Sequence, residues 1–280
     1  MHSKVYVLLA IIVIGLAIWA ATSLTIKKEG VVEKVSEEAS KETPSYAMVL
    51  VDNRAKVGLK SAWGLSIVIK LKNTTVLFDA GPNPAILKWN AKALGFNLSE
   101  IDFAVVSHEH WDHIGGLKAL AEVKPGCVVY VPSGMSWGAK NEILKMGLKV
   151  VEVDKTLKVA DNVFIIGQLY GPPYEQALAV KVDDGLWLFV GCSHPGVDNF
   201  VAKAVEDLKL KVKLVIGGFH LAGESKSFVK EIVDNMVSLG VEKICPLHCS
   251  GSVIRNLLVE EYNSYYLDGY AGLILSIPSQ

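Results

Sequence analysis

Ten short runs rich in Val, Ile, Leu and Phe punctuate the chain between residues 46 and 218, and they restrict its fold more than any other feature. They are YAMVLVDN at 46–53, LSIVIKL at 65–71, TTVLFDA at 74–80, DFAVVS at 102–107 and CVVYVP at 127–132, then LKVVEV at 148–153, NVFIIG at 162–167, ALAVKV at 177–182, LWLFVG at 186–191 and KLVIGG at 213–218. Several are continuously apolar, as strands buried on both faces should be. Helical patterns are predicted over 84–94, 116–121, 142–146, 198–210, 225–239 and 253–262; the first opens on Pro84 and is followed by Gly95. Hairpin-like stretches that lead into strand–helix alternation predict an α/β sandwich, sheets covered by helices.

A different pattern precedes these runs. Val5 to Leu24 reads VYVLLAIIVIGLAIWAATSL, twenty residues without a charge. As a helix it would span roughly 30 Å, the thickness of a bilayer's hydrocarbon core. A buried core helix of this length would show a polar face. A cleaved signal has an apolar run of only ~7–15 residues before a small-residue cleavage site, which Ala20, Ala21 and Ser23 could supply. The longer run favours an uncleaved anchor within residues 1–26 and a single-pass membrane protein, with secretion the outcome if the segment is cleaved. Lys4 on one side and Lys27, Lys28 and Lys34 on the other leave the orientation open. Residues 27–45, rich in Lys, Glu and Ser, read as a solvated tether, and 46–280 as one catalytic domain.

The chain of 280 residues carries 28 Lys plus Arg against 29 Asp plus Glu, so a net charge of -1 gives no electrostatic case for nucleic acid as a partner. Four Cys without C-x-x-C spacing argue against both a disulfide scaffold and a zinc ribbon. Cys127 lies inside a β run and is expected in the core.

Six of the seven His each follow closely on an apolar or extended segment: His108, His110, His113, His194, His220 and His248. Ligand clefts in sheet proteins gather at the C-terminal ends of strands, so these imidazoles are expected at one site. The segment Ser107-His108-Glu109-His110-Trp111-Asp112-His113 is the densest part. In an extended turn His108 and His110 can point the same way, and Asp112 and His113 can face a second position close by. Imidazole and carboxylate suit Zn, Fe or Mn.

The H-x-H-x-D-H run of 108–113 resembles the signature of the metallo-β-lactamase superfamily. The stretches LFDAGPN, SHEHWDHIGGL, GCSHPG at 191–196, GGFHL at 217–221 and PLHCSG at 246–251 are similar to the branch that includes an archaeal dihydropterin–aminobenzene ribofuranosyl phosphate synthase. The resemblance spans about residues 46–280. It implies a four-layer αββα sandwich with a metal site at one edge of the two sheets. It also implies His108, His110 and His194 as ligands of one ion and Asp112, His113 and His248 as ligands of another. Asp79 would orient a ligand by hydrogen bonding, and Cys192 would stand in the same outer shell. Where the superfamily pattern delivers a bridging Asp after the strand at 186–190, this chain has Cys192 and His194. One or two divalent ions are therefore expected, Zn foremost, with Fe, Mn or Mg as alternatives.

The expected function is a metal-dependent hydrolase acting on a small anionic ester, foremost a phosphate ester, by way of water activated at the metal. Asp112 would orient the nucleophile or pass its proton, and His220 would donate to a phosphate or leaving group unless it is a structural residue of its turn. Cys192 and Cys249 are open between ligation and packing. Trp63, Trp111, Trp137 and Tyr170 to Tyr174 could line a pocket for a flat ring or fill the core, and 170–174 could form a loop over the site. The branch resemblance implies an alternative, a transferase that joins a dihydropterin pyrophosphate to an aminobenzene ribofuranosyl phosphate in methanopterin biosynthesis. A non-catalytic membrane-bound metal sensor is a third, against which the complete His/Asp set argues.

Overall fold

The computed structural model describes residues 44–278. The apolar segment at 5–24 and most of the tether lie outside the described residues, among which no helix is long and apolar enough to cross a membrane.

Thirteen strands and seven α-helices follow one another among the described residues. The chain opens with β1 (Tyr46–Val51), β2 (Ser66–Lys70) and β3 (Thr75–Phe78), then α1 (Pro84–Ala93) and β4 (Phe103–Val105). Two short helices, α2 (Trp111–Ile114) and α3 (Leu117–Val123), lead to β5 (Val128–Pro132), α4 (Trp137–Lys145) and β6 (Lys149–Val153). The second half runs β7 (Leu157–Ala160), β8 (Val163–Tyr170), β9 (Tyr174–Val182), β10 (Gly185–Val190), α5 (Val197–Leu208) and β11 (Lys211–Gly218). It ends with α6 (Lys226–Ser238), β12 (Lys243–Leu247), α7 (Gly251–Glu261) and β13 (Ile274–Ser276).

The strands form a seven-stranded sheet, β13-β1-β2-β3-β4-β5-β6, and a six-stranded sheet, β12-β11-β10-β9-β8-β7. Each has an antiparallel part and a parallel part: β3 to β6 run parallel in the first, β10 to β12 in the second. Three apolar layers hold the sandwich. Ile67, Ile69 and Phe78 of one sheet meet Leu178, Val180 and Phe189 of the other in the central layer. Leu87, Leu120 and Ile143 cover the first sheet from α1, α3 and α4. Phe200, Val233 and Leu257 cover the second from α5, α6 and α7. The architecture is thus helix–sheet–sheet–helix. Strands sandwiched this way are wetted on neither face, which is why the runs in β2, β3, β10 and β11 are apolar rather than alternating.

All ten predicted runs contain a strand, and all six predicted helices are present within a few residues. Among the described residues β7, β12 and β13 lie outside those ten runs. β7 and β13 are short edge strands, largely exposed, with little apolar signal. β12 also lies at an edge, where Pro246 is tolerated although it cannot donate to a ladder. The run 108–113 is not one extended turn, because Trp111 to Ile114 close a helical turn within it.

That turn is clamped to the end of β3. Ala80 N–H donates to His113 O at 2.7 Å, and Gly116 N–H donates to Gly81 O at 3.0 Å. A Cβ on Gly116 would stand 1.9 Å from Ala80 O, so only glycine permits this approach.

Phe189 is fully buried in the layer between the sheets. Phe189→Ala should destabilise the fold by about 3–5 kcal/mol through lost burial and a residual cavity, read as a shift in the chemical denaturation midpoint. A shift under about 1 kcal/mol would mean that the sheets can collapse onto the gap.

Candidate metal centre

The loops after β3, β4, β10, β11 and β12 emerge at one edge of the sandwich, and each delivers a polar side chain. Ring contacts link all six imidazoles. His108 stacks within 4.1–4.7 Å of His113, His110 and His194, His113 lies 5.1 Å from His248, and His194 lies 4.5 Å from His220. The structure therefore brings together every His that the sequence singled out outside the first residues. His108, His113 and His248 are buried, as is Asp112; His110 and His220 are exposed to the mouth.

Two buried carboxylates aim these rings. Asp79 follows β3 in a left-handed conformation, φ 54°, a strained position for a residue with a Cβ. Its Oδ2 takes the His113 Nδ1 proton at 2.6 Å and the Ser107 hydroxyl at 2.7 Å, while Oδ1 accepts from Ser107 N at 2.7 Å. Ser107 Oγ lies 2.9 Å from His108 Nδ1, so one carboxylate orients two imidazoles. Glu175, in β9, does the same on the other sheet. It accepts the backbone N–H groups of Cys192, Ser193 and His194 at 2.8–2.9 Å, and takes the His194 Nδ1 proton at 2.8 Å.

With their Nδ1 sides engaged, His108, His113 and His194 turn Nε2 inward. His248 is held differently, since the Gly64 N–H donates to its Nδ1 at 3.1 Å. Its Nδ1 lies 3.0 Å from Asn53 Oδ1, with Gly64 N–H between the two, and its backbone N–H donates to Asp52. His248 Nε2 is left buried without a hydrogen-bond partner, 3.2 Å from Asp112 Oδ2. His108 Nε2 and His110 Nδ1 face each other at 3.1 Å.

An orphaned imidazole nitrogen beside an ionised carboxylate fits a cation. His108, His110 and His194 form one set of donors within 4.8 Å of one another, and Asp112, His113 and His248 form a second. These are the two sets that the resemblance implied. Two further sets include sulfur: His108, His113 and Cys192, and Cys192, His220 and Cys249.

The electrostatics suit ligation. Burial and the neighbouring imidazoles hold the His108 pKa well below its ordinary value, so the ring is neutral. Burial lowers His113 as well, but the Asp79 carboxylate outweighs it and raises the pKa to about 9, so a cation at this edge would have to displace the ring's second proton. Burial opposes ionisation of Asp112 and Glu175, yet the His248 contact and the His194 contact respectively hold their pKa values low.

A cavity of 420 Å³ adjoins His110, lined by Glu109, Gly134, Ser136, Tyr170, Pro172, Pro173 and Tyr174. Residues 170–174 are the β8–β9 hairpin turn, and the Tyr170 and Tyr174 rings lie 4.8 Å apart. Trp63, Trp111 and Trp137 are not core residues: they are 53%, 62% and 78% exposed, and Trp63 sets its edge against His248 at 4.9 Å. Cys127 is buried in the first sheet's core, as expected.

Sequence reasoning missed Glu175, Ser107, Asp52 and Asn53. Glu175 had no signal, since its partners lie 17–19 residues away on another strand's loop. The polar Asp52-Asn53 pair that closes the first apolar run was the one available hint.

A sandwich of this layering, with this His/Asp set at its edge, is the fold of the metallo-beta-lactamase superfamily, and the chain belongs to it: the family model matches residues 64–248. The chain is 26% identical over 264 residues to 7,8-dihydropterin-6-methyl-4-(beta-D-ribofuranosyl)-aminobenzene-5'-phosphate synthase of Methanocaldococcus jannaschii, which covers 77% of this chain and 90% of that one. It is 28% identical over 260 residues to an uncharacterized protein of the same organism, covering 82% and 99%. Among solved structures, Tm1679, a metal-dependent hydrolase of the beta-lactamase superfamily, matches with a TM-score of 0.73 at 29% identity, covering 84% of this chain and all of that one.

Glu175→Gln should weaken metal retention about 10–100-fold in a chelator competition, because an amide cannot accept from all four of its donors. Unchanged retention would show that the 192–194 turn holds His194 in place by itself.

Proposed function

We propose that this chain is a metal-dependent hydrolase acting on a small anionic ester, foremost a phosphate ester. The observation that carries the reading is the pair of adjacent donor sets, His108/His110/His194 and Asp112/His113/His248. Divalent ions held there, Zn foremost, would lower the pKa of water towards neutrality and draw charge from an ester oxygen.

The chain's own residues supply the rest. The Asp112 carboxylate, held ionised and 3.2 Å from His248 Nε2, orients the attacking water and accepts its proton. Asp79 and Glu175 keep the imidazoles aimed, so little reorganisation is needed during reaction. His110 stands where the metal-binding edge meets the cavity, and the Tyr170–Tyr174 turn walls the side where the remainder of a substrate would lie.

The likeness to the archaeal synthase supports a second reading, the transferase that displaces pyrophosphate from a dihydropterin. The same donors serve it, since a leaving pyrophosphate and a phosphate ester present similar oxygens. The apolar segment at 5–24 would hold the enzyme at a membrane, a placement tested by resistance to alkaline carbonate extraction.

The discriminating experiment is a panel of phosphomonoesters, phosphodiesters and lactones run beside the two pterin-pathway substrates. Release of pyrophosphate with no ester hydrolysis would favour the transferase. Asp112→Asn should lower kcat by about 10²–10⁴-fold on the best substrate, and a chelator should abolish turnover until a divalent ion is restored. Full turnover by Asp112→Asn, or by metal-stripped protein, would sink the hydrolase reading.

A further inference from the structure

Beside the His/Asp sets lies a group of donors of different softness. Cys192, His220 and Cys249 bring two sulfurs and an imidazole nitrogen within 4.8 Å of one another. Both cysteines are free thiols and buried, and His220 closes the group on its exposed side.

The topology produces this convergence. β10, β11 and β12 are parallel neighbours, with Val190 paired to Gly217 and Gly218 to Leu247, so the turns that follow them emerge side by side. Gly218 permits the closest approach: a Cβ there would stand 2.8 Å from Cys249 Sγ and 2.4 Å from Gly191 O.

The sulfurs have weak partners. Cys249 Sγ accepts the His220 backbone N–H at 3.3 Å and reaches Cys192 O only at 3.7 Å. Cys192 Sγ lies 3.3 Å from His113 Nε2. Thiolates, by contrast, are strong ligands for soft divalent ions, and two of them balance the ion's charge in a buried place. Zn–S and Zn–N bonds of about 2.3 and 2.0 Å set tetrahedral donors about 3.5–3.8 Å apart, so this group needs to close by roughly 1 Å at most. A cavity of 200 Å³ lined by Ser193, His194, Phe219 and His220 adjoins the group on its His220 side.

We propose that Cys192, His220 and Cys249 form a thiolate-rich site for a soft divalent cation, filled in addition to the two His/Asp sets. Binding displaces the two thiol protons to solvent and forms two metal–sulfur bonds and one metal–nitrogen bond. His220 is then a ligand rather than the substrate-facing acid that the sequence suggests. Cys192 Sγ also lies within 4.8 Å of donors on His108 and His113, so it stands where the thiolate and imidazole halves of the edge meet.

The test is a titration of the full-length chain in detergent with Cd²⁺, followed by thiolate-to-cadmium absorption in the ultraviolet. The unaltered chain should show the band. Cys192→Ala combined with Cys249→Ala should lose it, and His220→Ala should keep it but release cadmium at lower chelator concentration. Because the double variant could misfold, X-ray absorption at the zinc edge of the zinc-loaded unaltered chain gives an independent measurement. It should show a sulfur shell at about 2.3 Å. Bound metal with neither band nor sulfur shell would overturn this site and leave the hydrolase reading standing. A band that persists in a folded double variant would place it on Cys127 or Cys245 and would also overturn the site. Absence of any bound metal would overturn both readings.

Discussion

The metal edge depends on two carboxylates that never face it. Asp79 and Glu175 are buried on opposite sheets, and each would be costly there without partners. Each is instead surrounded by N–H and O–H donors from loops far away in the chain. The cost of burying the charge is offset only when those loops are in place, so the carboxylates act as conditions on the fold. A loop that failed to dock would leave donors and an anion unsatisfied together, at about 1–3 kcal/mol for each lost partner. His108, His113 and His194 are thus fixed from behind, by their Nδ1 atoms, and their other nitrogens are turned towards one another.

The two sheets make this possible because each turns parallel on the side that carries the site. Parallel neighbours end at the same height, so β3 and β4 deliver Asp79 and the 107–113 turn together, as β10, β11 and β12 deliver the turns of His194, His220 and His248. The antiparallel parts form the remainder of each sheet. Close backbone approaches at Gly116 and Gly218 bring the loops nearer than any side chain at those positions would allow.

Much of this was legible in the chain. Continuous apolar runs locate strands buried on both faces, and the His-rich stretch at 108–113 locates the edge where they end. The local signals failed where structure depends on distant partners. β7 and β13 exist because they pair at sheet margins, and their exposed residues carry no strand pattern. β9 starts three residues earlier than its apolar run, since Glu175 and Gln176 read as polar turn residues although both are fully buried. Nothing in the spacing of Glu175 announces the loop at 192–194 as its partner. The helical turn at Trp111–Ile114 in the His-rich run was hidden because four residues are too few to show a helical period. Similarity then adds what pattern reading could not, namely that this architecture is shared across 100% of the length of Tm1679.

One further consequence follows from the alternation of side chains along β9. Tyr174 faces the cavity beside His110, and the next residue, Glu175, faces the loop that carries His194. The ring that would greet a substrate and the carboxylate that holds a ligand in aim are therefore consecutive residues on one rigid ribbon. Gly134 lies against that ring so closely that a Cβ there would stand 2.2 Å from it, which leaves the tyrosine no slack on its outer side. A substitution at Tyr174 that moved this stretch of backbone would therefore carry the Glu175 carboxylate with it, and with it the aim of His194.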